Sequence, residues 1–462
     1  MAPMFPLFAE TFHLSEEEVP LITGVTVVVL GFSNFIAIPC SRIFGRRAVA
    51  LSFGILFLVT SIWQAVAQNY ASFMASRAVI GIAAAPSETL MVQVIADLWF
   101  IHERGFWMGV YFTSMSFGAC IGPVISGNIA ERHGWRSFFW LSAGLIAFNL
   151  ILILFLFPET KYNRETLLNS SESPATPAST THTDDFKVEA ESQCVQQHVE
   201  TIGHAVLVGK GRPSRGQFWL FQKPHRHYKQ FIIRDFVGPI RAAALPIVLF
   251  ASLNLMGTAN LALYWNITES PILESPRYGF TPARVGLSNF GFAGGAFVGM
   301  LTAGPLSDWM VQRATVRNNG VREAEMRLPA LIPFAITTVV GTVIGGIAVR
   351  EGWDWPLIVV MGFGSSGLAV CSIAVIAIAY ALDVYKPLSG EIMVVGTVFK
   401  NVTGFAMTYW VPPMVVNRGY ILPLMIWFVF TAGPFLLAIP LYIWGKKLRA
   451  IPAFRGRSMH WE

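Results

Sequence analysis

Charge is what this sequence has least of. Asp, Glu, Lys and Arg make up 13% of its 462 residues, about half of the ~25% usual in a soluble chain. So low a share does not supply the surface of a water-soluble enzyme. Cysteine is also sparse. Cys40, Cys120, Cys194 and Cys371 show no CxxC spacing, and two lie inside apolar runs, which excludes a disulfide framework and a metal site. HExxH, GxSxG, GxxxxGK[ST] and His-rich clusters are absent, so neither an integral-membrane enzyme nor an ATP-driven pump is indicated, and no cofactor is expected. Met1 to Pro20 holds no Lys or Arg but carries Glu10, Glu16, Glu17 and Glu18, the reverse of a signal-peptide n-region.

What fills the chain instead is apolar. Hydrophobic residues account for 54%, with 36 Phe and 14 Trp. A helix needs about 20 mostly apolar residues to cross a bilayer, and such runs recur at 19–38, 48–67, 73–97, 106–127 and 137–157. After a polar stretch they resume at 242–265, 285–304, 328–349, 357–381, 390–412 and 420–444. The pattern predicts an all-α integral membrane protein of about 11 transmembrane helices in two halves. The expected units are an N-terminal half of five spans (1–157), a linker (158–240), a C-terminal half of six spans (241–445) and a tail (446–462). Leu167 to Asp185 is rich in Ser, Thr and Pro and too polar to bury a core, so disorder is expected there. Gly216 to Phe236 mixes Trp219, Phe221 and Tyr228 with Lys223, Arg226, Lys229 and Arg234, which fits an interfacial helix or a solvated linker.

The net charge of +6 sits mostly in short loops, a pattern of membrane topology and not of nucleic-acid binding. With the linker inside, the inner loops and tail hold fourteen Lys and Arg, among them Arg42, Arg46, Arg47, Arg104 and Lys386, against six outside. The linker and C-terminus are therefore expected in the cytoplasm, with the protein in the plasma membrane or in a vacuolar or other internal one. On that topology Asn266-Ile267-Thr268 falls in an outside loop and makes Asn266 a glycosylation candidate. Tyr264, Trp265, Tyr409 and Trp410 are read as interface-belt residues.

Both blocks contain a short basic turn between adjacent spans. The first reads Ser41-Arg42-Ile43-Phe44-Gly45-Arg46-Arg47, and the second runs from Gly304 through Pro305, Ser307 and Asp308 to Arg313. This turn resembles the signature loop of the major facilitator superfamily, which implies pairing of charge with neighbouring helix ends to stabilise one state of an alternating cycle. Arg77 to Gly81 resembles that family's RxxxG element. Gly118, Gly122 and Pro123 resemble the GxxxGP motif of its proton-coupled antiporters, and Ser114, Gly118, Gly122 and Ser126 recur every four residues as a face suited to close helix approach. Ile95 to Gly105, Arg317 to Glu323 with Arg327-Leu328, and Leu382 to Tyr385 are similar to strings of the fungal twelve-span drug:proton antiporters. The resemblance implies a secondary transporter with a central cavity, a small-molecule substrate, protons and the bilayer as partners, and a monomer.

Ionisable residues inside spans are costly and mark functional sites. Three stand out: Arg77, Glu88 and Lys400, with Asn401 beside the last. Glu88, near mid-span, is the candidate proton carrier, and Lys400 and Asn401 are placed to contact a polar substrate or to answer Glu88 across the cavity. Arg77 lies near a span end and is read either as a pathway residue or as a side chain snorkelling to the interface. Two departures from the family stand out. Arg42 occupies the place where the turn usually carries Asp. Only 38 residues with one span precede Pro39, whereas about 63 residues with two spans separate Arg241 from Gly304, so the family's first span is expected to be missing. Three functions follow: proton-coupled export of a small organic compound, proton-coupled uptake of a cationic metabolite such as a polyamine, or a non-transporting, truncated or degenerate relative.

Overall fold

The computed structural model describes residues 2–15, 18–99, 104–160, 228–385 and 388–450. The Ser/Thr/Pro-rich stretch 167–185, the basic aromatic stretch up to 227, His102, Glu103, Lys386 and the tail from 451 lie outside the described residues. With no water in a bilayer to satisfy the backbone, apolar runs of this length fold as helices that bond internally. A first group comprises α1 (Phe5–Phe12), α2 (Leu21–Phe44), α3 (Arg46–Val66), α4 (Tyr70–Leu98), α5 (Arg104–His133) and α6 (Trp135–Leu156). A second comprises α7 (Tyr228–Ala243), α8 (Pro246–Leu273), α9 (Pro282–Arg317), α10 (Leu331–Glu351), α11 (Ser365–Val384), α12 (Ser389–Arg418), α13 (Ile421–Leu436) and α14 (Ala438–Ala450).

Among the described residues, 8 helices are long and apolar enough to cross a membrane, or 9 with the bent pair α13–α14 taken as one. Two of the expected spans, α5 and α12, are 30-residue helices outside that count. In α12, Lys400 and Asn401 interrupt the apolar run, a composition suited to a polar interior. Two boundaries differ from the apolar runs. Hydropathy reports the thickness of the lipid and not the end of the helix, so α9 runs 36 residues, well past 304, to Arg317. It stops where Asn319 (φ 53°) and Gly320 (φ 80°) turn left-handed. The last run bends by 41° between α13 and α14, where Pro440 withholds an N–H from the ladder.

Packing places the site. In the first group α4 lies between α2 and α3, and α6 covers α3; in the second, α8 packs on α11, α12 and α13. The groups meet where α5 lies on α9, and where α2 and α4 touch α12. In its most apolar window α8 is 72% buried, which makes it central, whereas α6 is only 11% buried and turns Phe148, Phe155 and Leu156 outward. Close approach of α9 to α11 depends on missing side chains: a Cβ at Gly295 would collide with the Gly364 carbonyl, and one at Gly367 with that of Phe292.

Candidate functional site

The boundary between α4 and α12 holds an ion pair. Lys400 Nζ donates to Glu88 Oε1 at 2.5 Å, and Asn401 Nδ2 reaches Oε2 at 3.5 Å. Glu88 is 11% exposed and Lys400 18%. A buried polar group without a partner is costly, and the surrounding helices supply partners. Tyr111 Oη of α5 donates to the carbonyls of Ser87 and Glu88 at 2.8 and 3.2 Å. Thr89 donates to Asn34 Oδ1 of α2 at 2.9 Å, and Ser41 to Gln93 Oε1 at 3.3 Å. Asn260 Nδ2 of α8 donates to the Lys400 carbonyl at 3.0 Å and to Thr403 Oγ1 at 2.7 Å. The result is a polar ladder through an apolar bundle, with one carboxylate and one ammonium at its centre. The pair joins the two groups across 312 positions of sequence.

Arg77 does not join this pair. It is 8% exposed, and its Nε donates to the Ile22 carbonyl at 3.2 Å, while Thr26 of α2 donates to the Arg77 carbonyl at 3.0 Å. The snorkelling reading is therefore corrected: this guanidinium turns inward and ties α4 to α2.

The two basic turns are both charge-paired. In the first, Gly45 adopts φ 100°, open to glycine alone without strain. Glu159, from just beyond α6, accepts the N–H groups of Arg46 at 2.9 Å and Arg47 at 3.2 Å, capping α3. Arg47 Nη2 donates to the Leu154 carbonyl at 2.6 Å. Arg42 bridges to Glu391 of α12 at 3.3 Å. In the second turn Arg327 lies between two carboxylates, at 3.4 Å from Asp308 and 3.0 Å from Asp383, and Arg322 reaches Asp383 at 3.7 Å. Arg313 meets the ring of Trp309.

Gly118 and Gly122 correct the expected small-residue packing. A Cβ at either, or at Gly304, would meet nothing within 4 Å. The close approach of α5 to α9 is made instead by Gly127 against Pro282 and by Gly286 against the Pro123 carbonyl, with Cys120 Sγ donating to the Asn289 carbonyl at 2.9 Å.

Two further expectations fail on one helix. Asn266 is not in a loop: it lies within α8 and lines a cavity of about 210 Å³ with Ala119, Trp265, Asn289 and Phe363, so the outside loop expected to carry a glycan there is helix instead. Trp265 and Tyr264 are each 1% exposed and belong to the core, Tyr264 donating to the Tyr420 carbonyl at 2.6 Å; Tyr409, at 70%, is exposed. The cause is the same, since α8 extends two turns beyond 265. That extension also hid Glu269, fully buried, whose Oε1 accepts from Ser288 at 2.9 Å and from Asn289. An acid in an apolar run was the available signal, missed because the run was ended too early. Glu159 and Glu391 gave no signal, since each acts at a distance in sequence.

Comparison with known proteins agrees with this geometry. Residues 1–408 match the profile of the Major Facilitator Superfamily. The chain is 28% identical over 454 residues to an MFS-type transporter of Schizosaccharomyces pombe, covering 92% of this chain and 77% of that one. It is 24% identical over 453 residues to a probable efflux pump, mfs2, of Aspergillus flavus, covering 97% and 98%. Its fold matches the xylose transporter XylE of Escherichia coli with a TM-score of 0.59 at 14% identity, over 96% of this chain and 92% of that one. The chain belongs to the major facilitator superfamily, and it is an integral membrane transporter and not an enzyme.

Proposed function

We propose that this transporter exports a small organic compound in exchange for protons, with Glu88 as the proton carrier and its pair with Lys400 as the coupling element. The observation that carries this reading is the 2.5 Å contact between Glu88 of the first group and Lys400 of the second. The two groups act as halves that rock about a central site. Separating α4 from α12 breaks the pair, and leaving one partner of a buried pair alone costs about 3–5 kcal/mol. A proton on Glu88 removes the negative charge and the carboxylate's share of that cost, so protonation and separation of the halves favour one another. Exchange requires proton and substrate to alternate at this site, so the substrate binds beside Lys400 and Asn401 while Glu88 is ionised and leaves when the carboxylate takes up a proton. The linker and tail face the cytoplasm, a placement supported by the basic bias of that side.

Uptake of a polycation has less support. An acidic cavity suits such a substrate, but Lys400 already neutralises the carboxylate here. The name of the efflux pump relative also favours export. The test is flux of a panel of organic compounds in proteoliposomes with an imposed pH gradient. Wild type is expected to move substrate against the gradient's proton flow, and Glu88→Gln to lose pH-driven flux while remaining inserted. Unchanged flux in Glu88→Gln removes that residue from the mechanism, co-accumulation with protons reverses the direction, and no wild-type flux supports a non-transporting relative.

A further inference from the structure

We propose that the groove between the end of α9 and α14 is a binding site for an anionic phospholipid headgroup, with its phosphate held between Arg313 and Arg317. The groove has a volume of about 670 Å³ and is lined by Trp309, Met310, Arg313, Arg317, Asn318 and Tyr442 among others. That is room for a headgroup and its glycerol. Three neighbouring cations have acidic partners: Arg327 has Asp308 and Asp383, Arg322 has Asp383, and Lys446 has Glu323 at 2.7 Å. Arg313 and Arg317 have none among the described residues. They stand four positions apart on one helix face, where like charges repel, and an anion between them turns that repulsion into two attractions.

The arrangement is also oriented for the task. The Arg313 guanidinium lies 5.2 Å from the Trp309 ring centre, a stack that fixes its plane and leaves its N–H edges available. The two acids on the walls do not oppose a phosphate freely, because Glu323 is paired with Lys446 and Glu325 is 5% exposed and packed against Gly445. The basic residues at the end of α9 also complement the helix dipole, but that role requires neither the groove nor the stack. What distinguishes a lipid from free phosphate is the aromatic lining of the same groove: Trp309, 53% exposed, and Tyr442, 54% exposed, are the residue types that sit where headgroups meet acyl chains.

The experiment is thermal unfolding of the purified full chain in neutral detergent, titrated with short-chain phosphatidylserine, phosphatidylcholine or inorganic phosphate. Phosphatidylserine is expected to raise the midpoint saturably, with phosphatidylcholine at least fivefold weaker and inorganic phosphate without effect. The double variant Arg313→Gln/Arg317→Gln is expected to lose at least fivefold in apparent affinity, and Arg350→Gln, outside this groove, to respond as wild type. If the double variant fails to fold, Arg317→Gln alone is expected to lose a smaller but measurable part. An unchanged response in the arginine variants, or equal responses to the two lipids, overturns the site. An equal, arginine-dependent response to inorganic phosphate overturns the lipid assignment in favour of a soluble anion.

Discussion

The turn between α2 and α3 and the turn between α9 and α10 occupy matching places in the two helix groups, yet their charges go in different directions. In the second turn Asp308, Arg327 and Asp383 all belong to one group. Their pairing survives any motion of one group against the other. In the first turn Arg42 stands where related turns carry Asp, and it reaches Glu391 in the opposite group. Its pairing exists only while α2 and α12 are together. The first turn therefore stabilises a state, and the second stabilises a half. The missing acid of the first turn is replaced for local purposes by Glu159, which caps α3 from the far end of the same group.

That contrast can be broken in order of expected effect. Arg327→Met leaves Asp308 and Asp383 facing one another, and is expected to destabilise the protein by about 3 kcal/mol, the low end for a broken buried pair because Asp308 is largely exposed. Thermal unfolding measures it, with ligand-free state distributions otherwise unchanged. Glu159→Ala removes the acceptor at the start of α3 and is expected to cost about 1 kcal/mol, the usual value of a lost helix cap. A loss below a few tenths would show that solvent replaces the carboxylate there. Arg42→Gln is expected to change unfolding by less than about 1 kcal/mol, since the pair is partly exposed, but to shift the balance between states about fivefold. The charge swap Arg42→Glu/Glu391→Arg is expected to restore it. If Arg42→Gln lowers stability as much as Arg327→Met and leaves the state balance alone, the comparison is wrong.

Much of the scaffold was legible in the sequence, because lipid imposes a length and a polarity that a run of residues displays directly. Each expected span lies on a helix, and the turn, Arg77–Gly81 and Asp383 strings pointed to the family. Glu88 and Lys400 were visible as ionisable residues inside apolar runs, and the structure pairs them. What was hidden has a common cause. Hydropathy says nothing about where a helix ends once it leaves lipid, so Asn266 was placed in a loop, Trp265 at an interface, and Glu269 was passed over, although all three lie within α8. Contacts such as Glu159 with Arg46 or Arg42 with Glu391 join residues separated by hundreds of positions or by whole helices, and no local pattern encodes them. The face Gly118–Gly122 had the right spacing for helix packing but the wrong azimuth, which only the position of α9 decides.

The central claim is that protonation of Glu88 releases α4 from α12. The most direct measurement is the distance between spin labels on the linker-side ends of α3 and α10, in a cysteine-substituted background, with the Glu88–Lys400 pair intact and in Glu88→Gln, whose amide stands for the protonated acid. The account predicts that Glu88→Gln populates a longer distance than the intact pair. The same distance distribution in both would contradict it.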